Sequence, residues 1–185
     1  MMLSGPCLGS HGLGEASQRN VLALDASGNG YHGVYTGEPT LGVGGALSGD
    51  SDACAYFPTV DECVMIGDQA AFSFASNIFT FEFWYQARYT SNAEGILGKR
   101  GDPWEYSIHR AGANLEFTTW NATGTEVYAT TYAVPDVDWH YYVWAADGTD
   151  ARLYVDTVLK TTVGKSGSSM ANTTSPLILA LGGGI

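Results

Sequence analysis

The residues best suited to chemistry in this chain are aromatic: Trp104 follows Asp102-Pro103, and Trp120 stands directly before Asn121. An indole stacks on the apolar face of a sugar while neighbouring amides and carboxylates bond its hydroxyls, so a ring beside a polar side chain is what a glycan site needs. Tyr128 and Tyr132 follow and join them as candidates. The competing reading is that these rings fill core or sheet surface. Nucleophilic catalysis has less to build on. No Gly-x-Ser-x-Gly is present, and Cys54, Cys63, His109 and His140 show no spacing that favours a Cys-His pair over packing. His140, beside Trp139 in a bulky run, reads as a satisfied core histidine.

Strands must position these rings. The densest stretch is Trp139 to Val163, three runs rich in aromatic and β-branched residues separated by Asp147-Gly148-Thr149-Asp150 and by Asp156-Thr157. This is the make-up of a three-stranded antiparallel meander. Both parities of its first run are bulky, Trp139, Tyr141 and Val143 on one face and His140, Tyr142 and Trp144 on the other, so that strand is expected to be covered on both sides. Thr tolerates positive φ poorly, so the Asp156-Thr157 turn is expected to be wider than two residues or of type I. Further strands are read at about Ala53–Phe57, Cys63–Ile66, Phe79–Tyr89, Gly95–Lys99, Trp104–His109, Asn114–Trp120, Glu126–Ala133 and Pro176–Leu181, with Thr36 to Asp52 as a glycine-rich loop. Phe79, Phe81, Phe83 and Tyr85 share one face, which should be core.

The order Trp139-His140-x-x-Val143, Asp147-Gly148-Thr149, Arg152-Leu153-Tyr154-Val155-Asp156-x-x-Leu159 resembles the signature hairpin of laminin G-like domains in the concanavalin A-like lectin and glucanase superfamily. Leu24 to Gly33 resembles that family's opening turn, and Phe79-Thr80-Phe81-Glu82-Phe83-Trp84 its "F-T-x-E-x-W" strand. The resemblance implies an all-β fold, a concanavalin A-like jelly roll of two antiparallel sheets over residues 12–185 behind an irregular segment 1–11. Relatives of the pattern usually continue past the point where this chain reads Gly182-Gly183-Gly184-Ile185, with a final strand that returns beside the amino-terminal one. Its absence implies an unpaired edge near Leu177 to Ile185, open to a strand-completing neighbour or an oligomer.

The superfamily's hydrolases carry a Glu-x-Asp-x-x-Glu strand, and here no Glu is followed by Asp two residues later, leaving Glu82 and Glu116 as isolated carboxylates. The expectation is a protein that is not an enzyme. Loops of such folds often bind calcium through Asp, Asn and carbonyl oxygens, which makes Asp25 and Asn29 the metal candidates; equally, those two residues cap their own turn. The cofactor expectation is therefore none, or a structural calcium.

Composition narrows the partners. Asp+Glu 19 against Lys+Arg 8 gives a formal charge of −11, which repels a phosphate backbone or an anionic membrane. Neither nucleic acid nor membrane insertion is expected, and no signal peptide is read at Met1 to Cys7. Counting back from a hairpin over Pro58-Thr59 puts Cys54 opposite Cys63, where a disulfide and plain packing are both open. What the resemblance implies for function is a non-catalytic adhesion module on a virion surface or outside the cell: a phage decoration, fibre or tail component docked on other coat proteins, with cell-surface glycan as an expected ligand. A carbohydrate-binding module of a larger secreted bacterial protein is the alternative, and a glycoside hydrolase relative stands third.

Overall fold

The computed structural model describes residues 21–49, 51, 53–59, 61–87 and 94–180, so the expected segment 1–11 and the positions after Ala180 lie outside the described residues. Alternation of apolar and polar residues runs through most of the chain, and the strands follow it. They are β1 (Leu22–Ala23), β2 (Gly33–Thr36), β3 (Thr40–Gly44), β4 (Ala53–Tyr56), β5 (Cys63–Ile66), β6 (Ile78–Gln86) and β7 (Glu94–Arg100) in the first half. The second half adds β8 (Trp104–Ala111), β9 (Asn114–Trp120), β10 (Glu126–Ala133), β11 (Trp139–Asp147), β12 (Asp150–Val155), β13 (Val158–Gly164) and β14 (Leu177–Leu179). All pairings are antiparallel. Eight strands form one sheet in the order β1-β2-β5-β14-β7-β8-β9-β10, four form another in the order β13-β12-β11-β6, and β3 with β4 makes a separate ribbon.

Between the two large sheets lies the core. The smaller sheet contributes Phe79, Phe81, Tyr142, Trp144, Leu153 and Val155, and the larger Val64, Ile66, Tyr106, Ile108, Leu115, Phe117 and Leu177. Trp144 is fully buried, its ring 4.9 Å from Phe79 and 5.6 Å from Phe117, both edge-on. Each such side chain contributes roughly 1.5–3 kcal/mol by leaving water, which is why the parity of β6 and β11 fixes the register of the smaller sheet. The Phe face of β6 is core as expected.

Five expectations are corrected, the last being that β11 is covered on both sides. The first concerns the cysteines: Cys54 sits on β4 opposite Val43, whereas Cys63 is on β5 opposite Thr36, so the two are not brought together as a pair. No hairpin forms over Pro58-Thr59, because Thr59 turns back locally, its N–H donating to the Glu62 carboxylate and its carbonyl accepting from Glu62 N–H. Second, Thr40 to Gly44 is a strand, which the glycines had disguised as loop. Third, Asp156 and Thr157 both take positive φ, 52° and 68°, in a two-residue turn between the paired Val155 and Val158. The strain at Thr157 is tolerated because Asp156 is tied to β11: its N–H donates to the Tyr141 carbonyl, and its carboxylate accepts the Tyr141 N–H at 3.0 Å.

The fourth correction is the open edge. β14 is not terminal: Leu177 to Leu179 pair with β5 on one side and β7 on the other. Among the described strands the edges are β1 and β10 of the larger sheet and β6 and β13 of the smaller. β11 is covered on one face only. Tyr142, Trp144 and Ala146 are buried, while Trp139, Tyr141, Val143 and Ala145 are half-buried on the outside, where Tyr141 packs against Trp84 at 5.2 Å.

Candidate functional site

β7, β8 and β9 lie side by side in the larger sheet, and their outward-facing residues at one end make the most chemically differentiated surface of the described chain. The register places Trp104 opposite Arg100 across a β-bulge, and the two indoles of Trp104 and Trp120 meet edge to face, 5.2 Å apart at 85°. Both rings are half-buried, so each keeps an accessible part. The Arg100 guanidinium lies over the Trp104 ring, 4.8 Å from its centre. It can lie flat because Gly98 carries no side chain: a Cβ there would stand 3.4 Å from Arg100 Nε and 3.1 Å from the Tyr106 carbonyl. A small hollow between Gly95, Gly98, Arg100 and Ile178 opens beside it.

A hydrogen-bond chain runs on from the guanidinium. Arg100 Nε and Nη2 donate to the Ser107 hydroxyl at 3.2 and 2.6 Å, and that oxygen stands 3.3 Å from His109 Nδ1. With its lone pairs taken by two arginine N–H groups, the Ser107 hydroxyl donates its own proton to Nδ1, so Nε2 carries the histidine hydrogen and faces Glu116 Oε2 at 3.2 Å. Burial pushes His109 below its ordinary pKa against the pull of Glu116, and burial likewise lowers Arg100. The result is a fixed cation held by one neutral hydroxyl and one indole.

The other sequence candidates fall elsewhere. Asn121 is buried and spent on its own turn: its Oδ1 accepts from Thr123 N–H, Thr123 Oγ1 and Thr125 N–H, and its Nδ2 donates to Ser168. Tyr128 is 1% exposed and packs 6.1 Å from Phe79, so it belongs to the core and not to a sugar platform. A bulge between Glu126 and Tyr128 turns it inward, leaving Val127 and Tyr128 buried in succession. Tyr132 is half-buried against Tyr142. Arg100 and Ser107 are the site residues that the sequence reading passed over, and His109 entered it only as a partner for a cysteine.

Asp25 does not present a cation site as it stands. Its Oδ1 accepts the Ser27 N–H at 2.8 Å, and Oδ2 accepts the Ser27 hydroxyl at 2.7 Å and the Tyr31 N–H at 3.0 Å, bonds that hold its pKa down. Asn29 turns to Ser27 as well, with Nδ2 donating to its hydroxyl. Among the described residues no group of three or more His, Cys, Asp and Glu gathers as a metal would require, and these two do not fit calcium unless the turn gives up its hydrogen bonds. Glu82 and Glu116 stand on different sheets, each facing away from the core, Glu82 accepting from Tyr141 OH at 2.6 Å. They cannot flank one glycosidic bond. His140 is satisfied, although not in the core: its two ring nitrogens meet Asp156 at 2.7 Å and Asp136 at 2.9 Å. Among the described residues no helix is long and apolar enough to cross a membrane.

A two-sheet antiparallel sandwich with this strand order is a lectin-like domain of the concanavalin A class. The chain belongs to the laminin G-like family: residues 60–184 match the family model Laminin_G_3, described as "Concanavalin A-like lectin/glucanases superfamily". No curated protein matches it. Among solved structures, the binding domain of Paraclostridial Mosquitocidal Protein 1 is similar at a TM-score of 0.71 and 15% identity, covering 84% of this chain and 41% of that one. The receptor binding domain of botulinum neurotoxin C/D mosaic serotype is similar at 0.66 and 9%, covering 88% and 41%. A botulinum neurotoxin type C structure, described by cell entry dependent upon interaction with two ganglioside molecules, is similar at 0.65 and 14%, covering 85% and 39%. The chain thus spans about two fifths of each of these structures' length, and the likeness is one of fold.

Proposed function

We propose that this protein is a non-catalytic surface module that binds glycans, with Trp104 and Trp120 as the stacking platform. One observation carries the reading: two half-buried indoles from different strands meet on the outward face of the larger sheet beside an oriented cation. Such a face offers an apolar plane for the sugar ring and donors for its hydroxyls, at rigid strand positions. The fold supports it, because the similar structures include a receptor binding domain and a botulinum neurotoxin type C structure described by cell entry dependent upon interaction with two ganglioside molecules. The test is calorimetry of the intact protein against an oligosaccharide panel. Trp104→Ala and Trp120→Ala should each weaken binding by about tenfold or more, equivalent to roughly 1.4 kcal/mol. Binding unaltered in both variants would remove the platform.

A second reading, a decoration, fibre or tail component of a phage particle, is favoured by the edge strand β6. Among the described residues β6 pairs only with β11, and its outer face carries the exposed Trp84. An edge of this kind accepts a strand from a neighbouring coat protein or a second copy. The joint is thereby moved from β14 to β6.

A further inference from the structure

The environment of Arg100 says which class of glycan the face takes. Acidic residues outnumber basic ones 19 to 8 in this chain, and of the described lysines and arginines only the exposed Lys160 and Lys165 and the half-buried Arg100 stand outside an ion pair. Arg110 stands 3.6 Å from Glu94, and Arg152 2.7 Å from Asp147. Arg100 forms no ion pair with a carboxylate of any described residue. It is half-buried nonetheless, and taking a charge from water costs free energy that one serine hydroxyl and one indole only partly offset.

The guanidinium is also incompletely used. Its Nε and Nη2 converge on a single acceptor, Ser107 Oγ, while Nη1 donates to no described residue and reaches solvent. The Nη1–Nη2 edge of the fork therefore keeps a pair of N–H groups that no described residue accepts, on a guanidinium lying over the Trp104 ring. Two parallel N–H groups in one plane match the two oxygens of a carboxylate, which a lysine ammonium would not do. Ser107 and the Trp104 ring fix that plane, and the absent side chain of Gly98 leaves it room.

We infer that the ligand of this face is an acidic sugar, its ring on Trp104 and Trp120 and its carboxylate bidentate on Arg100, an assignment that rests on the glycan-binding reading above. In a strongly anionic protein the site supplies a local positive charge beside the indoles, and recognition of an acidic sugar depends on that oriented group.

The experiment titrates the intact protein with three matched oligosaccharides: one neutral, one with a terminal carboxylated sugar, one with a sulfate in its place. The carboxylated form should bind about tenfold or more tighter than the neutral one, with the sulfated form between them. Arg100→Gln should bring the ratio of carboxylated to neutral affinity to about one, and Arg100→Lys should restore only part of it, both variants keeping the wild-type far-ultraviolet spectrum and a cooperative melt. Equal wild-type affinity for carboxylated and neutral forms, with loss of both in Trp120→Ala, would overturn the inference and leave the glycan platform standing. Sulfate bound as tightly as carboxylate, with Arg100→Lys behaving as wild type, would overturn the bidentate assignment. No binding of any oligosaccharide would overturn both.

Discussion

His140 shows how much a single side chain can be asked to do outside the site. Burial opposes its charge, but the hydrogen bonds it donates to Asp156 and Asp136 outweigh that, so its pKa is raised, while the histidine in turn lowers both aspartates. A raised histidine pKa stabilises the fold fully below the unfolded value of about 6.5 and loses that contribution as pH rises through the higher folded value. The aspartates act in the other direction, contributing above the ordinary carboxylate range and failing as acid protonates them. The bridge is therefore strongest between about pH 4 and 6.5. His140→Gln should lower Tm most in that interval and progressively less on the alkaline side, a trend that calorimetric melting across pH reads directly. A Tm deficit independent of pH would mean that His140 acts by shape alone. The sequence showed that His140 would be satisfied, but its partners come from a loop and a turn, Asp136 and Asp156, which no alternation pattern pairs with it.

Strands were the most legible level. β9 and β10 fall where their alternation and flanking Asn and Gly put them, and the meander β11–β12–β13 follows from aromatic runs broken by short polar turns. β1 to β3 were lost because runs of two to five residues, with glycine in β2 and β3, carry too little apolar pattern to register. Bulges account for the misplaced site residues: one reversal of parity turns Tyr128 into the core, and another, between Lys99 and Arg100, brings Arg100 level with Trp104. The indoles were found because Trp beside Asn or Asp is visible in any register. The arginine was not. β14 carries the clearest expectation at this scale. Since it is hydrogen-bonded on both sides, Leu179→Pro deletes a donor in the interior of the sheet and should cost about 3 kcal/mol or more in denaturant melts. A variant as stable as wild type would place β14 at an edge after all.

At the scale of the whole molecule, the two faces of the sandwich differ in what they offer. The larger sheet presents indoles, a cation and polar hydroxyls, the features of a small-molecule surface, whereas the smaller ends in β6 with Trp84 and Tyr141 on its outside. If β6 is a joint, the particle mass in solution should be that of a defined oligomer by light scattering or native mass spectrometry. A stable monomer at all concentrations would remove the virion-type reading and leave the glycan reading untouched. Composition had already set the broad limits, since a net charge of −11 disfavours polyanionic partners.

The measurement that bears most directly on the glycan reading is calorimetric titration of the wild-type protein and of Trp104→Ala and Trp120→Ala against neutral and acidic oligosaccharides. Saturable wild-type binding that falls about tenfold or more in each variant, with both variants folded, is the expected result. Saturable binding that neither substitution weakens, or no binding to any oligosaccharide, would contradict it.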